Sequence, residues 1–138
     1  MREFKFRLWD TFNKEMYNKV MVGNYPDTVP MVLCEINGKR DWYLIEPKIC
    51  KVMQYTGYKD AKGQEIYEGD ILAHQDYFWW VRIEYYNGSF MVRDVKRIRY
   101  TNKVCEKHIG DFDTSKLRVI GNIYENKELF SELYYEYK

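Results

Sequence analysis

The stretch Met53–Leu72, MQYTGYKDAKGQEIYEGDIL, constrains this chain more than any other. It holds Gly57, Gly63 and Gly69, three of the chain's eight glycines, each beside polar turn formers. Thr56-Gly57 is predicted to end a short strand over Met53 to Tyr55. Asp60-Ala61-Lys62-Gly63 reads as a turn, because an aspartate accepts from backbone N–H groups two residues on and glycine tolerates positive φ. Glu68-Gly69-Asp70 reads as a second turn, which delivers the chain into Ile71-Leu72-Ala73. Ile66 and Tyr67 lie between the two. The whole stretch is therefore expected to fold as tight loops that pin strand ends, and loops held on a rigid scaffold often carry function.

A chain of 138 residues is long enough to bury a core as one domain. Its 46% hydrophobic content excludes a disordered chain. Aromatics reach 18%, with 14 tyrosines, which favours β-structure, where rings pack on pleated surfaces. A formal charge of +1 provides no global field toward nucleic acid or an anionic membrane. Cys34, Cys50 and Cys105 are odd in number and widely spaced, which fits reduced thiols in a cytoplasm better than a disulfide framework. No apolar run reaches membrane-spanning length, and Met1-Arg2-Glu3-Phe4-Lys5 is no signal peptide, so a cytoplasm is the expected compartment.

Along the chain, Phe4 to Trp9 alternates. Phe4, Phe6 and Leu8 should face one way and Lys5, Arg7 and Trp9 the other, in a half-buried strand. Asp10 to Lys14 is a polar turn, with Met16-Tyr17 as the returning strand. Val20 to Val22 runs into a loop marked by Gly23-Asn24, Pro26 and Pro30. Asn37-Gly38, between Met31–Ile36 and Trp42–Ile45, predicts a hairpin, because both turn positions need positive φ. A second hairpin is predicted at Asn87-Gly88, flanked by Val81–Tyr86 and Ser89–Val95. From Arg93 to Lys107 no clean periodicity emerges. Leu117, Val119 and Ile120 form a strand ending at Gly121. Asn126 suits an N-cap, and Leu129, Phe130, Leu133, Tyr134 and Tyr137 recur at helical spacing, so a helix is predicted over Lys127–Tyr137.

The pattern QYTG-x-KD-x-x-G-x-EIYEGDIL resembles the hallmark of YopX-like proteins of bacteriophages and prophages. The opening MREFKFRLWD, the central Tyr85-Tyr86-Asn87-Gly88-Ser89-Phe90 and the closing Val119-Ile120-Gly121-Asn122-Ile123-Tyr124-Glu125-Asn126 agree with that resemblance. It implies a homo-oligomer and carries over no biochemical activity.

Candidate chemistry is thin. Asp60, Glu65, Glu68 and Asp70 could supply oxygen ligands, but their spacing matches no calcium loop and turn duty explains them. Cys105 and His108 make half a zinc site at most, and free cysteines such as Cys34 and Cys50 usually pack inside. No nucleophile elbow or phosphate-binding glycine loop is present. Between Arg82 and Lys107, the cations Arg93, Lys96, Arg97 and Arg99 lie near Trp79 and Trp80. Such residues could track phosphates and stack on bases, unless they are the solvated face and core of a hairpin. Leu133, Tyr134 and Tyr137 are a candidate self-interface.

The expected fold is mainly β within a β-rich α+β class: a small bent antiparallel sheet or SH3-like barrel with one C-terminal helix. A single domain is expected to span 1–138, with N-terminal strands over about 1–50, a turn-rich core over about 51–95 and a closing strand and helix over about 117–138. The expected function is that of a non-catalytic phage accessory module that self-assembles and binds a phage or host protein. Nucleic-acid binding by the 77–107 region is the alternative. No cofactor, catalytic residue or membrane association is expected.

Overall fold

The computed structural model describes residues 3–25, 27–76, 79–97 and 107–129. The fold is mainly β, and its strand pairs are antiparallel. The chain divides into two compact units, Met1–Tyr55 and Thr56–Lys138.

In the first unit, β1 (Phe6–Asp10) pairs with β2 (Glu15–Tyr17) across a turn built by one side chain. Asp10 is fully buried. Its Oδ1 accepts from the Phe12 and Asn13 N–H groups, both at 2.9 Å, and its Oδ2 accepts from the Asn13 amide at 2.8 Å. A buried carboxylate is tolerable when backbone donors surround it. The alternation predicted for Phe4 to Trp9 does not hold: Arg7 and Trp9, assigned to the polar face, are 8% and 5% exposed. β1 is an interior strand between β2 and β6 (Cys50–Lys59), and both of its faces are covered, so period-two polarity has no solvent side to report. β3 (Val20–Met21), β4 (Met31–Ile36) and β5 (Lys39–Leu44) form a three-stranded sheet. The Asn37-Gly38 hairpin forms as predicted, with φ of 53° and 79°. Leu8, Val32 and Cys50 form the centre of this unit's core, with Tyr17, Val20, Cys34, Ile45 and Val52 packed against them.

β6 belongs to both units. Its first half pairs with β1. Thr56-Gly57 does not end the strand, which continues to Lys59. Gly57 has φ of +90°, and the Thr56 hydroxyl donates to the Ile66 carbonyl at 2.7 Å while accepting from the Tyr58 N–H at 3.2 Å. A strand glycine with positive φ marks a bulge, so the strand bends there without stopping.

The second unit adds β7 (Glu65–Tyr67), β8 (Asp70–His74), β9 (Trp79–Tyr86), β10 (Ser89–Arg97), β11 (Lys107–His108) and β12 (Leu117–Asn122). Five of these strands form one sheet in the order β11-β10-β9-β8-β12. The Asn87-Gly88 hairpin forms as predicted, with β9 and β10 in register from Tyr86 and Ser89 outward. The register shifts between Asp94 and Lys96. Phe90 and Val92 are buried, and so is Val95, which has the opposite parity. A one-residue bulge turns every later side chain to the other face, which explains why no periodicity could be read from Arg93 onward. Ile66, Leu72, Val81, Ile83, Phe90, Val92, Ile109 and Leu117 form the core. Two short 3-10 turns, Ile109–Asp111 and Thr114–Lys116, lead into β12.

β12 closes on a compact asparagine lock. Asn122 Oδ1 accepts from the Tyr124 and Glu125 N–H groups at 3.0 and 2.8 Å, and the Asn126 Oδ1 accepts from the Asn122 N–H at 3.0 Å. A Cβ on Gly121 would lie 2.5 Å from that Asn126 oxygen, so only glycine fits. Asn126 precedes Lys127–Leu129, the one helical turn described. The remainder of the predicted helix lies outside the described residues.

Candidate binding surfaces

The central turns are structural pins. Asp60 Oδ1 accepts from the Lys62 and Gln64 N–H groups, both at 2.9 Å, and its Oδ2 accepts from the Val119 N–H at 2.9 Å. One carboxylate thus shapes a turn and ties it to a strand 59 residues later. Asp70 is buried, with Oδ2 accepting from the Tyr67 N–H at 2.8 Å. Gly63 and Gly69 have φ of +80° and +87°. Asp60 and Asp70 spend these oxygens on backbone donors, and no group of three or more metal-ligating side chains occurs among the described residues.

In the described part of the aromatic and basic region, Trp79, Arg82 and Arg93 have internal partners. Trp79 is half-buried; its indole N–H donates to Asp94 Oδ1 at 2.6 Å, and its ring packs on Phe112 at 5.6 Å between centroids. Trp80 is also half-buried. Arg82 and Arg93 stand directly opposite each other on β9 and β10. Glu84 reconciles the two charges, with Oε2 at 3.0 Å from Arg82 Nη1 and 3.3 Å from Arg93 Nε. The Arg93 guanidinium also lies 5.2 Å from the Tyr86 ring centroid. The backbone of Lys96 and Arg97 is in β10, and their side chains, like the whole of Arg99 and Cys105, lie outside the described residues. The same holds for Leu133, Tyr134 and Tyr137. His108 is exposed, and its Nδ1 lies 2.5 Å from the Ser89 hydroxyl. Cys34 is half-buried and Cys50 buried. Burial pushes the Cys50 thiol above its ordinary range, partly offset by a hydrogen bond from Tyr25.

The sequence did not reveal the outer face of the β3-β4-β5 sheet. The register aligns Met21 with Met31 and Met31 with Leu44, then Leu33 with Trp42, then Glu35 with Arg40. Since Val32, Val20 and Cys34 pack inward, these rows occupy the opposite face. Leu44 is 66% exposed and Met21 48%. The signal lay in Met31-Val32-Leu33-Cys34, which is apolar at both parities, but the sequence does not show whether such a run is buried on two sides or presents an apolar outer face.

Antiparallel sheets whose turns are fixed by buried Asp and Asn side chains define a small mainly β protein. A family model described as YopX protein matches residues 5–131. The chain belongs to the YopX family. Protein EF1440 from Enterococcus faecalis has a similar structure, with a TM-score of 0.62 and 26% identity over 94% of this chain and 99% of that one. Protein yopX from Bacillus subtilis is similar in fold, with a TM-score of 0.59 and 16% identity over 94% of this chain and 98% of that one. No curated protein matches the sequence. Among the described residues no helix is long and apolar enough to cross a membrane.

Proposed function

We propose that this YopX-family protein works by binding, without catalysis, and that it pairs with a second copy through the outer face of β3-β4-β5. The observation that carries the reading is the row Met21–Met31–Leu44, with Leu33–Trp42 beside it, on a face whose ends stay exposed. Exposed apolar rows rimmed by charge mark interaction sites. The rim favours a copy of itself as occupant: Glu35 and Arg40 form one cross-strand row, so a twofold axis lying in the interface, along the strands and between β4 and β5, sets each against the opposite charge of its mate. The family resemblance points the same way, to a homo-oligomer acting as a phage accessory protein in the bacterial cytoplasm and engaging a phage or host protein. The nucleic-acid alternative draws less support, since Trp79 and Arg93 are held by Asp94 and Glu84.

Sedimentation velocity tests this. The wild type should sediment as an oligomer at micromolar concentration, and Met21→Lys with Leu44→Lys should shift it to monomer with an unchanged circular dichroism spectrum. A wild type that stays monomeric up to about 100 μM, weaker than a specific interface of standard size, overturns the reading.

A further inference from the structure

We infer that the second unit carries a binding cleft for the phosphate group of a small phosphorylated ligand of nucleotide size. The cleft has a volume of about 330 Å³, within the range of small-molecule sites. Its polar lining is Lys62, His74, Gln75, Lys116 and Arg118, and no carboxylate is part of it. The remaining lining is Ala61, Ala73 and Leu117.

Three chain segments meet here, and backbone bonds hold all three. The Ala61 N–H donates to the Leu117 carbonyl at 2.8 Å, and the Gln75 N–H to the Lys116 carbonyl at 2.9 Å. β8 and β12 place His74 opposite Leu117 and Ala73 opposite Arg118. Asp60 shapes the turn that carries Lys62 and bonds the Val119 N–H on β12. The cations are therefore presented by a preformed frame, which lowers the ordering cost of binding.

Two carboxylates stand near the rim. Asp76 Oδ2 lies 3.2 Å from Lys116 Nζ, with both side chains nearly half exposed. Such a pair is weak, so a phosphate can replace Asp76 on Lys116. Asp113 is turned to Ser115, whose N–H and hydroxyl bond its Oδ1. These bonds hold the Asp113 carboxyl below its usual range, and Lys116 and His74 add to the effect, as a positive local field requires. His74 accepts the Asp76 N–H on Nδ1 at 3.1 Å. Lys62, Lys116 and Arg118 border one concavity, and the chain's net charge is only +1. A compact phosphate fits that arrangement better than a long polyanion, which needs a continuous basic track.

The test is a titration of the full chain with inorganic phosphate, ADP, adenosine and a 20-nucleotide single strand, followed by amide chemical shifts and calorimetry. Phosphate and ADP should move the amides at 61–62, 73–75 and 116–118, and adenosine should not. Lys62→Ala and Arg118→Ala, both exposed and neither using its side chain in the frame, should each weaken ADP binding about tenfold, the loss of one charge-assisted bond. Asp76→Asn removes the competitor for Lys116 and should tighten binding, a gain that no folding defect can mimic. No shift at these amides with millimolar phosphate overturns the proposal. So does adenosine binding as well as ADP, or a single strand binding tighter than ADP and indifferent to Lys62→Ala with Arg118→Ala. None of these outcomes depends on the oligomeric state.

Discussion

The two units solve the same folding problem with different surfaces. In Thr56–Lys138, eight apolar residues close one core, and the large apolar side chains left exposed among the described residues are Tyr58, Tyr85 and Tyr86, each with a polar tip. In Met1–Tyr55 the core centres on three buried residues, while Phe4, Phe12, Met21, Tyr25, Val29, Ile36 and Leu44 remain exposed. A monomer seldom leaves so much large apolar surface on its smaller half. The proposed pairing would bury part of the first unit's exposed apolar surface on association, whereas the second unit buries its apolar residues within its own core. The units differ in their shifted groups as well. Tyr17, Tyr25, Tyr43 and Cys50 in the first unit are pushed up in pKa, and Asp113 in the second is held down.

The largest break in this comparison should come from Asp60→Ala. Three backbone donors lose their acceptor at once, and each bond to a carboxylate is worth about 1.5–3 kcal/mol, so the second unit should lose about 3 kcal/mol or more. Urea denaturation read at Trp79 and Trp80 should show it, and Asp60→Asn, which keeps one oxygen, should lose less. An unchanged midpoint for the alanine variant would remove the pin from the account. Gly121→Ala comes next. Its Cβ meets Asn126 Oδ1 at 2.5 Å, and overpacking of this kind costs about 1–3 kcal/mol, visible as a lower melting temperature.

Alkaline pH should act on the first unit through Cys50, Tyr25 and Tyr17. The raised thiol and phenols hold their protons longer in the folded state than in the unfolded state. Their stabilisation is therefore complete below the ordinary pKa values and is lost as pH climbs past about 8.5, first through Cys50 and then through Tyr25 and Tyr17. Hydrogen exchange compared at pH 7 and pH 9.5, after correction for intrinsic rates, should show β1, β4 and β6 near Cys50 loosening while β8, β9 and β12 hold. Equal loosening of both units would erase the distinction. The smallest effect on stability should come from Leu44→Lys, within about 0.5 kcal/mol for the separated chain, because the side chain is 66% exposed. A larger loss measured at a concentration where the chain is monomeric would make Leu44 part of a core and not of a contact.

The sequence by itself determined the local devices. Asn37-Gly38, Asn87-Gly88, Asp60 with Gly63, and Gly69 with Asp70 each declare a turn, because the stabilising partner lies within four residues and the needed φ is available to few residue types. The strands flanking these turns, and hence the mainly β fold, follow. Only the tertiary structure decided the rest. Arg7 and Trp9 are buried because β1 acquires covered faces, which depends on the distant partners Met53 and Lys51 on β6. Val95 faces inward because a bulge inserts one residue, and the parity change has no composition signature. Met21, Met31 and Leu44 become one row, and Lys62, Lys116 and Arg118 one cleft, only when separate segments are set in register. Turn chemistry is a short-range interaction and can be read from neighbouring letters. A surface is a sum over distant segments, and the relation between them exists only after the chain has folded.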